Sequence, residues 1–141
     1  MNDELSITTE GNPAQRDCDQ VRRMLERYNE HFAGADAALP LAVFARDASG
    51  KIVGGLVGGT WWKWLHVDLL WVEDRFRRRG IGSRLLTAAE TEAVRRRCGH
   101  SILDTHDFQA PEFYLRHGYQ VFGTVADLPA GHSRIYFQKA L

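Results

Sequence analysis

A chain of 141 residues suits one domain, read as 1–141, and can bury about two-thirds of its unfolded surface without staples. Eighteen basic residues balance eighteen acidic ones, so no global field favours nucleic acid or an anionic membrane. Cys18 and Cys98 lie far apart without metal-ligand spacing, the N-terminal Met-Asn-Asp-Glu lacks an apolar signal core, and no apolar run reaches spanning length; together these predict a cytoplasmic protein with reduced thiols and no bound metal.

Leu5 to Glu10 alternates apolar and polar residues and predicts an edge strand, which Gly11-Asn12-Pro13 ends. From Ala14 to about Phe32, Cys18, Val21, Met24, Leu25 and Tyr28 recur at helical spacing under an arginine-rich outer face. Gly34 to Pro40 reads as a loop. Leu41 to Arg46 and Lys51 to about Trp61 read as an antiparallel hairpin turning at Asp47-Ala-Ser-Gly50. The second strand carries Gly54, Gly55, Gly58 and Gly59, a pattern that predicts bulges or close approach of another segment. Thr60-Trp61-Trp62-Lys63-Trp64 leads into a central strand from Leu65 to Val72, and this short link predicts a second hairpin. Trp61, Trp62 and Trp64 suit an acceptor pocket, a homodimer face or the core, and one of them is expected in the core.

The central strand runs into Glu73-Asp74-Arg75-Phe76, then Arg77-Arg78-Arg79-Gly80-Ile81-Gly82-Ser83, then a helix to about Cys98. Ile81, Leu85, Ala89 and Ala93 share one helix face, and Gly99 is the expected stop. A helix N-terminus offers unpaired N–H groups and partial positive charge. Gly80 and Gly82 let backbone approach an anion, and three arginines add charge, so the turn suits a phosphorylated ligand. A dinucleotide motif would need glycine where Leu85 stands, and no Gly-Lys-Ser or Gly-Lys-Thr is present. Ser101 to Thr105 is a short strand, parallel to the central one through the helical crossover. Pro111 can open a short helix that Gly118 closes, and Tyr119–Val125 and Ser133–Lys139 are final strands flanking a loop with Pro129 and Gly131. The sum is an α/β chain: a mixed sheet flanked by helices.

Arg77-x-x-Gly80-x-Gly82, after a strand ending Leu70-Trp71-Val72, resembles the coenzyme A-binding motif of the GNAT superfamily of N-acetyltransferases. Asp74 stands where many members have proline. Ala110-Pro-Glu-Phe-Tyr114-Leu-Arg-His-Gly118-Tyr119 resembles the second GNAT signature, with Asp107 where members usually have asparagine. The resemblance covers roughly Leu41 to Leu141 and is similar to a bacterial subgroup of small, stand-alone proteins. It implies the GNAT acyl-CoA N-acyltransferase fold, with a mostly antiparallel central sheet. Related folds often hold a second helix near Gly34–Pro40; its absence would open the acceptor side. The resemblance also implies acetyl-CoA as cofactor and direct attack by an amine, from a small molecule or a protein, in a ternary complex. The implied cofactor contacts fall on Leu70, Trp71, Val72, Arg77, Arg78, Arg79, Gly80, Ile81, Gly82, Ser83, Asp107, Ala110 and Tyr114.

An alkyl ammonium has a pKa near ~10.4, so the acceptor must lose a proton before it attacks. Strict alternation puts His66, Asp68 and Leu70 on one strand face and Leu65, Val67 and Leu69 on the other. The resemblance implies a base near His66; His66, Asp68 or the two as a pair fill that role, or else they hydrogen-bond each other or nearby backbone. Tyr114 is the implied general acid, with a core ring as the alternative. The strand end near Leu70 to Val72 is the implied source of a backbone N–H that polarises the thioester carbonyl. Arg77 and Arg79 are candidates to reach phosphates; Arg78 equally suits a solvated surface. His106 and Asp107 follow a parallel strand where ligands gather. His31, His100, His117 and His132 read as surface residues. No acyl-carrying nucleophile is evident. A non-catalytic coenzyme-binding sensor or scaffold is the runner-up; nucleic-acid binding lacks a second basic patch.

Overall fold

A computed structural model describes residues 4–141; the sequence reading of Met1 to Asp3 lies outside the described residues. The chain divides into two compact units, one up to Asp36 and one spanning Ala37–Leu141.

The first unit contains α1, Gln15–Ala33. Gly34 ends it at φ 74°, donating its N–H to the Glu30 carbonyl. Asp19 accepts hydrogen bonds from Gln15 and Arg22 within one turn either way, and the Tyr28 and Phe32 rings lie 5.1 Å apart at i, i+4. The expected strand at Leu5 to Glu10 is not formed; that stretch is irregular. Only Leu5 and Ile7 are strongly apolar there, and a strand without a neighbour leaves its backbone groups unpaired.

The second unit is a six-stranded sheet: β1 Leu39–Arg46, β2 Ile52–Trp61, β3 Trp64–Val72, β4 His100–His106, β5 Gln120–Ala126 and β6 Ser133–Ala140. The spatial order is β1-β2-β3-β4-β6-β5, with β3–β4 parallel and every other neighbouring pair antiparallel. Helix α2, Ile81–Arg95, makes the crossover from β3 to β4, and α3, Glu112–Arg116, links β4 to β5. No helix intervenes between α1 and β1. The core gathers Leu41, Leu56, Leu65, Val67 and Phe137 from the sheet with Leu85, Leu86, Ala89 and Ala93 from α2. Fully burying each of these leucines contributes about 1.5–3 kcal/mol.

The β2–β3 hairpin turns on Trp62 and Lys63, at φ 47° and 61°. Two left-handed residues match the twist of a two-residue hairpin. None of the tryptophans enters the core, contrary to expectation. Trp61 stacks flat on His66, with centroids 3.4 Å apart, and Trp64 stacks on His100 at 4.6 Å. The cross-strand pairing of Trp61 with Trp64 puts both on the sheet face opposite α2, where imidazoles cover them.

Register breaks between Val57 and Gly58: Val57 faces Leu69 while Gly58 faces Val67. Asp68 is therefore the extra residue of a β-bulge. The bulge overturns strict alternation. Leu65 and Val67 are buried, and beyond Asp68 it is Leu70 and Val72 that pack against the same core. His66 and Leu70 thus lie on opposite faces. Gly58 is required here, because a Cβ would collide with the His66 carbonyl oxygen.

Helix α2 stops before Gly99. Arg97 takes the left-handed position at φ 65°, and the Cys98 N–H reaches the Ala93 carbonyl. This terminal hydrogen-bond pattern usually recruits glycine.

Candidate active site

Beyond β3 a 3-10 turn, Asp74–Phe76, leads to the arginine run. Arg77 is committed to this turn: its Nε donates to the Val72 carbonyl at 2.9 Å, and its guanidinium pairs with Asp74 at 3.0 Å. Arg78 and Gly80 both adopt left-handed backbone, at φ 60° and 74°. Left-handed residues beside right-handed ones turn successive N–H groups into one concavity suited to an anion. Gly80 caps α2 without any side-chain hydrogen bond to the first turn, and a Cβ on it would meet nothing within 4 Å. Glycine there answers a backbone need, not a lack of room for a side chain. Gly82 has a different reason: a Cβ would approach the Phe113 ring at 3.4 Å. Ile81 packs against the core, while Arg79 lies over the Phe76 ring at 5.5 Å. A helix start without a side-chain cap suits a diphosphate such as that of coenzyme A.

Strands β3 and β4 pair only from Trp64↔His100 to Val67↔Leu103. Past that point they part, and the β3 edge through Leu70, Trp71 and Val72 has no strand partner on its β4 side. Arg77 takes the Val72 carbonyl, and a strand edge without a strand partner suits an extended, amide-bearing ligand. Asp68 and Asp104 are the first residues beyond the last paired positions. Asp68 is exposed. Asp104 accepts from Arg134 Nε at 2.6 Å, and that guanidinium lies over Tyr136.

His66 is stacked on Trp61, and its Nε2 is buried without a hydrogen-bond partner. Burial lowers its pKa and the Asp68 charge opposes this, with a net downward shift that keeps the ring neutral at pH 7. Tyr114 on α3 is only 7% exposed, wedged among Phe113, Tyr119 and Phe137. Its phenol is pushed up to about 12 by burial and then by the Asp104 charge. Ala110, at φ 53°, precedes the Pro111 cap, and Gly118, at φ 84°, ends the turn.

The profile of the GNAT acetyltransferase family matches residues 6–119. The chain belongs to that family. It is 48% identical over 98 residues to the blasticidin-S acetyltransferase of Streptomyces morookaense, spanning 67% of this chain and 72% of that one. An acetyltransferase from Agrobacterium fabrum is 34% identical over 119 residues, spanning 84% of this chain and 87% of the relative. The crystal structure of an acetyltransferase from Bacillus cereus superposes with a TM-score of 0.86 at 34% identity, covering 95% of this chain and 98% of the other. This GNAT chain is an acetyltransferase with the mixed sheet of that family. Among the described residues no helix is long and apolar enough to cross a membrane.

Residues of this GNAT domain at and beyond the end of β4 have these partners, and one of them, His117, departs from its sequence reading. Asp107 closes the sheet: its carboxylate accepts from the Ser133 N–H and pairs with His132, both at 2.9 Å. Desolvation pushes its pKa up, but those two partners outweigh it and hold the carboxyl below the usual range. His106 stacks on Phe108, with its Nδ1 3.0 Å from the Gln109 side-chain oxygen. His117 is not a surface residue. It is half-buried, 2.7 Å from the Phe113 carbonyl and 2.9 Å from the Ser83 hydroxyl. Asp104 went unnoticed in the sequence; its only signal is a carboxylate inside the otherwise compact run Ser101–Thr105.

Proposed function

We propose that this GNAT chain transfers an acetyl group from acetyl-CoA to a primary amine by direct attack in a ternary complex. The observation that carries the reading is one junction: the uncapped turn at Gly80 continues from a β3 edge without a strand partner on its β4 side, and that edge begins beside Asp68. Acetyl-CoA brings the acetyl group as a thioester. Backbone N–H groups between Arg79 and Ser83, those of Gly80, Ile81 and Gly82 among them, hold the diphosphate, with Arg78 and Arg79 adding charge. Arg77 braces the turn against Val72. The β3 edge from Leu70 through Trp71 to Val72 orients the reacting carbonyl with a backbone N–H. Asp107 and Ala110 shape the wall next to α3.

Asp68 receives the ammonium proton through water, since its carboxylate is exposed while His66 Nε2 is covered. His66 stays neutral and fixes the strand beside it. Tyr114 keeps its proton throughout the neutral range and gives it to the departing sulfur. The relative that acts on blasticidin S makes that compound the first acceptor to assay. Trp62, exposed at the hairpin tip, supports a homodimer face that sedimentation can check.

A thiol-release assay with acetyl-CoA and a panel of amines, blasticidin S included, tests the reading. Amine-dependent release is expected, reduced about a hundredfold by Tyr114→Phe. Coenzyme binding with no release for any amine would fit a scaffold instead and would contradict catalysis.

A further inference from the structure

We propose that His117 is a positioning residue that fastens the helix carrying Tyr114 to the first turn of α2. The inference rests on the acetyltransferase reading above, and it concerns how the two signatures are held together.

Helix α3 has five residues, too few for a helix to persist on its own. Its orientation must come from tertiary contacts. The ring of Tyr114 is packed, but packing alone leaves rotation and slide of the short helix weakly defined. His117, immediately after the last residue of α3, supplies the directional contact. The Phe113 carbonyl only accepts, so His117 Nδ1, 2.7 Å away, carries the proton. Nε2 lies 2.9 Å from the Ser83 hydroxyl, which can donate to it or accept from it. One imidazole uses both nitrogens, one on α3 and one on the α2 turn. A second contact lies alongside. The Phe113 ring rests above Gly82 and meets Tyr114 edge-to-face at 5.1 Å. His117 tilts against that same Phe113 ring at 4.3 Å. The turn that holds the diphosphate is thereby linked through Ser83, His117 and Phe113 to Tyr114.

Loss of the link lets the phenol drift from the sulfur while the turn remains able to bind. A displacement near 1 Å can cost about a hundredfold in rate. The role predicts a split between turnover and affinity. His117→Ala is expected to lower kcat by roughly ten- to a hundredfold, with acetyl-CoA affinity by calorimetry within about threefold of the unaltered chain. Ser83→Ala should lower kcat as well, and the double variant should be no worse than His117→Ala alone, because both cut one bridge. His117→Asn retains a donor towards the Phe113 carbonyl but cannot span to Ser83; it should behave like Ser83→Ala and serves if the alanine variant does not fold. The acceptor is the amine that the unaltered chain turns over fastest. A kcat for His117→Ala within twofold of the unaltered chain overturns the proposal, as does a double variant whose losses multiply. Should the unaltered chain bind no acetyl-CoA, both this role and the acetyltransferase reading fall. Should it turn over while the variants match it, only this role falls.

Discussion

Tyr114 joins the chemistry to the physics of burial. An aromatic pocket that excludes water makes phenolate costly, so the hydroxyl stays protonated well above neutrality. Tyr119 is shifted the same way by burial, with its Ser101 hydrogen bond opposing. The sign follows from linkage: an unfolded phenol titrates near ~10, so the stability these groups contribute is whole below that pH and is lost as pH rises towards 12. Urea unfolding at pH 9 and pH 11 should show the lower stability at pH 11, with a smaller drop in Tyr114→Phe. An equal drop in both proteins would contradict burial as the cause. Asp68→Asn should slow turnover most at low pH while sparing acetyl-CoA affinity; unchanged rates from pH 6 to 9 would place the proton acceptor elsewhere. The short helix carrying Tyr114 was legible in the sequence because Pro111 and Gly118 bound it, and the Tyr114 ring lies in the core. Asp104 was not, since its neighbour Tyr114 is reached only through the fold. His117 was misread for a related reason: its partner Ser83 lies on another helix, 34 positions away.

At the scale of elements, glycines do three separate jobs. Gly58 makes room for the β3 carbonyl at the bulge, Gly80 takes left-handed backbone, and Gly82 seats Phe113. Gly58→Ala should therefore destabilise by more than about 2 kcal/mol, because backbone must move. Gly80→Ala has open space and should cost about 1–2 kcal/mol for its dihedral alone. Arg97→Gly should go the other way and stabilise by roughly 1 kcal/mol, since Arg97 already occupies a left-handed C-cap. Chemical denaturation ranks the three; a Gly58→Ala change milder than Gly80→Ala would refute the bulge argument. Four glycines in β2 announced a bulge, but not which strand would carry the extra residue. Strict alternation consequently misplaced Leu70. The expected strand at Leu5 to Glu10 failed because local alternation does not supply a pairing neighbour.

For the whole molecule, the two hairpins joining β1, β2 and β3 and the β3-α2-β4 crossover were legible because short links and the first signature fix them locally, whereas the insertion of β6 between β4 and β5 was not, since no local pattern pairs β6 with β4. The division at Asp36 was not read from the sequence. In the proposed reading, the β3 edge left without a strand partner beyond Val67 and the uncapped start of α2 form one opening for the coenzyme. The most direct measurement is calorimetric titration of acetyl-CoA into the purified chain. Saturable heat at one site per chain is predicted. No heat with acetyl-CoA or with free coenzyme A would contradict the assignment of that opening.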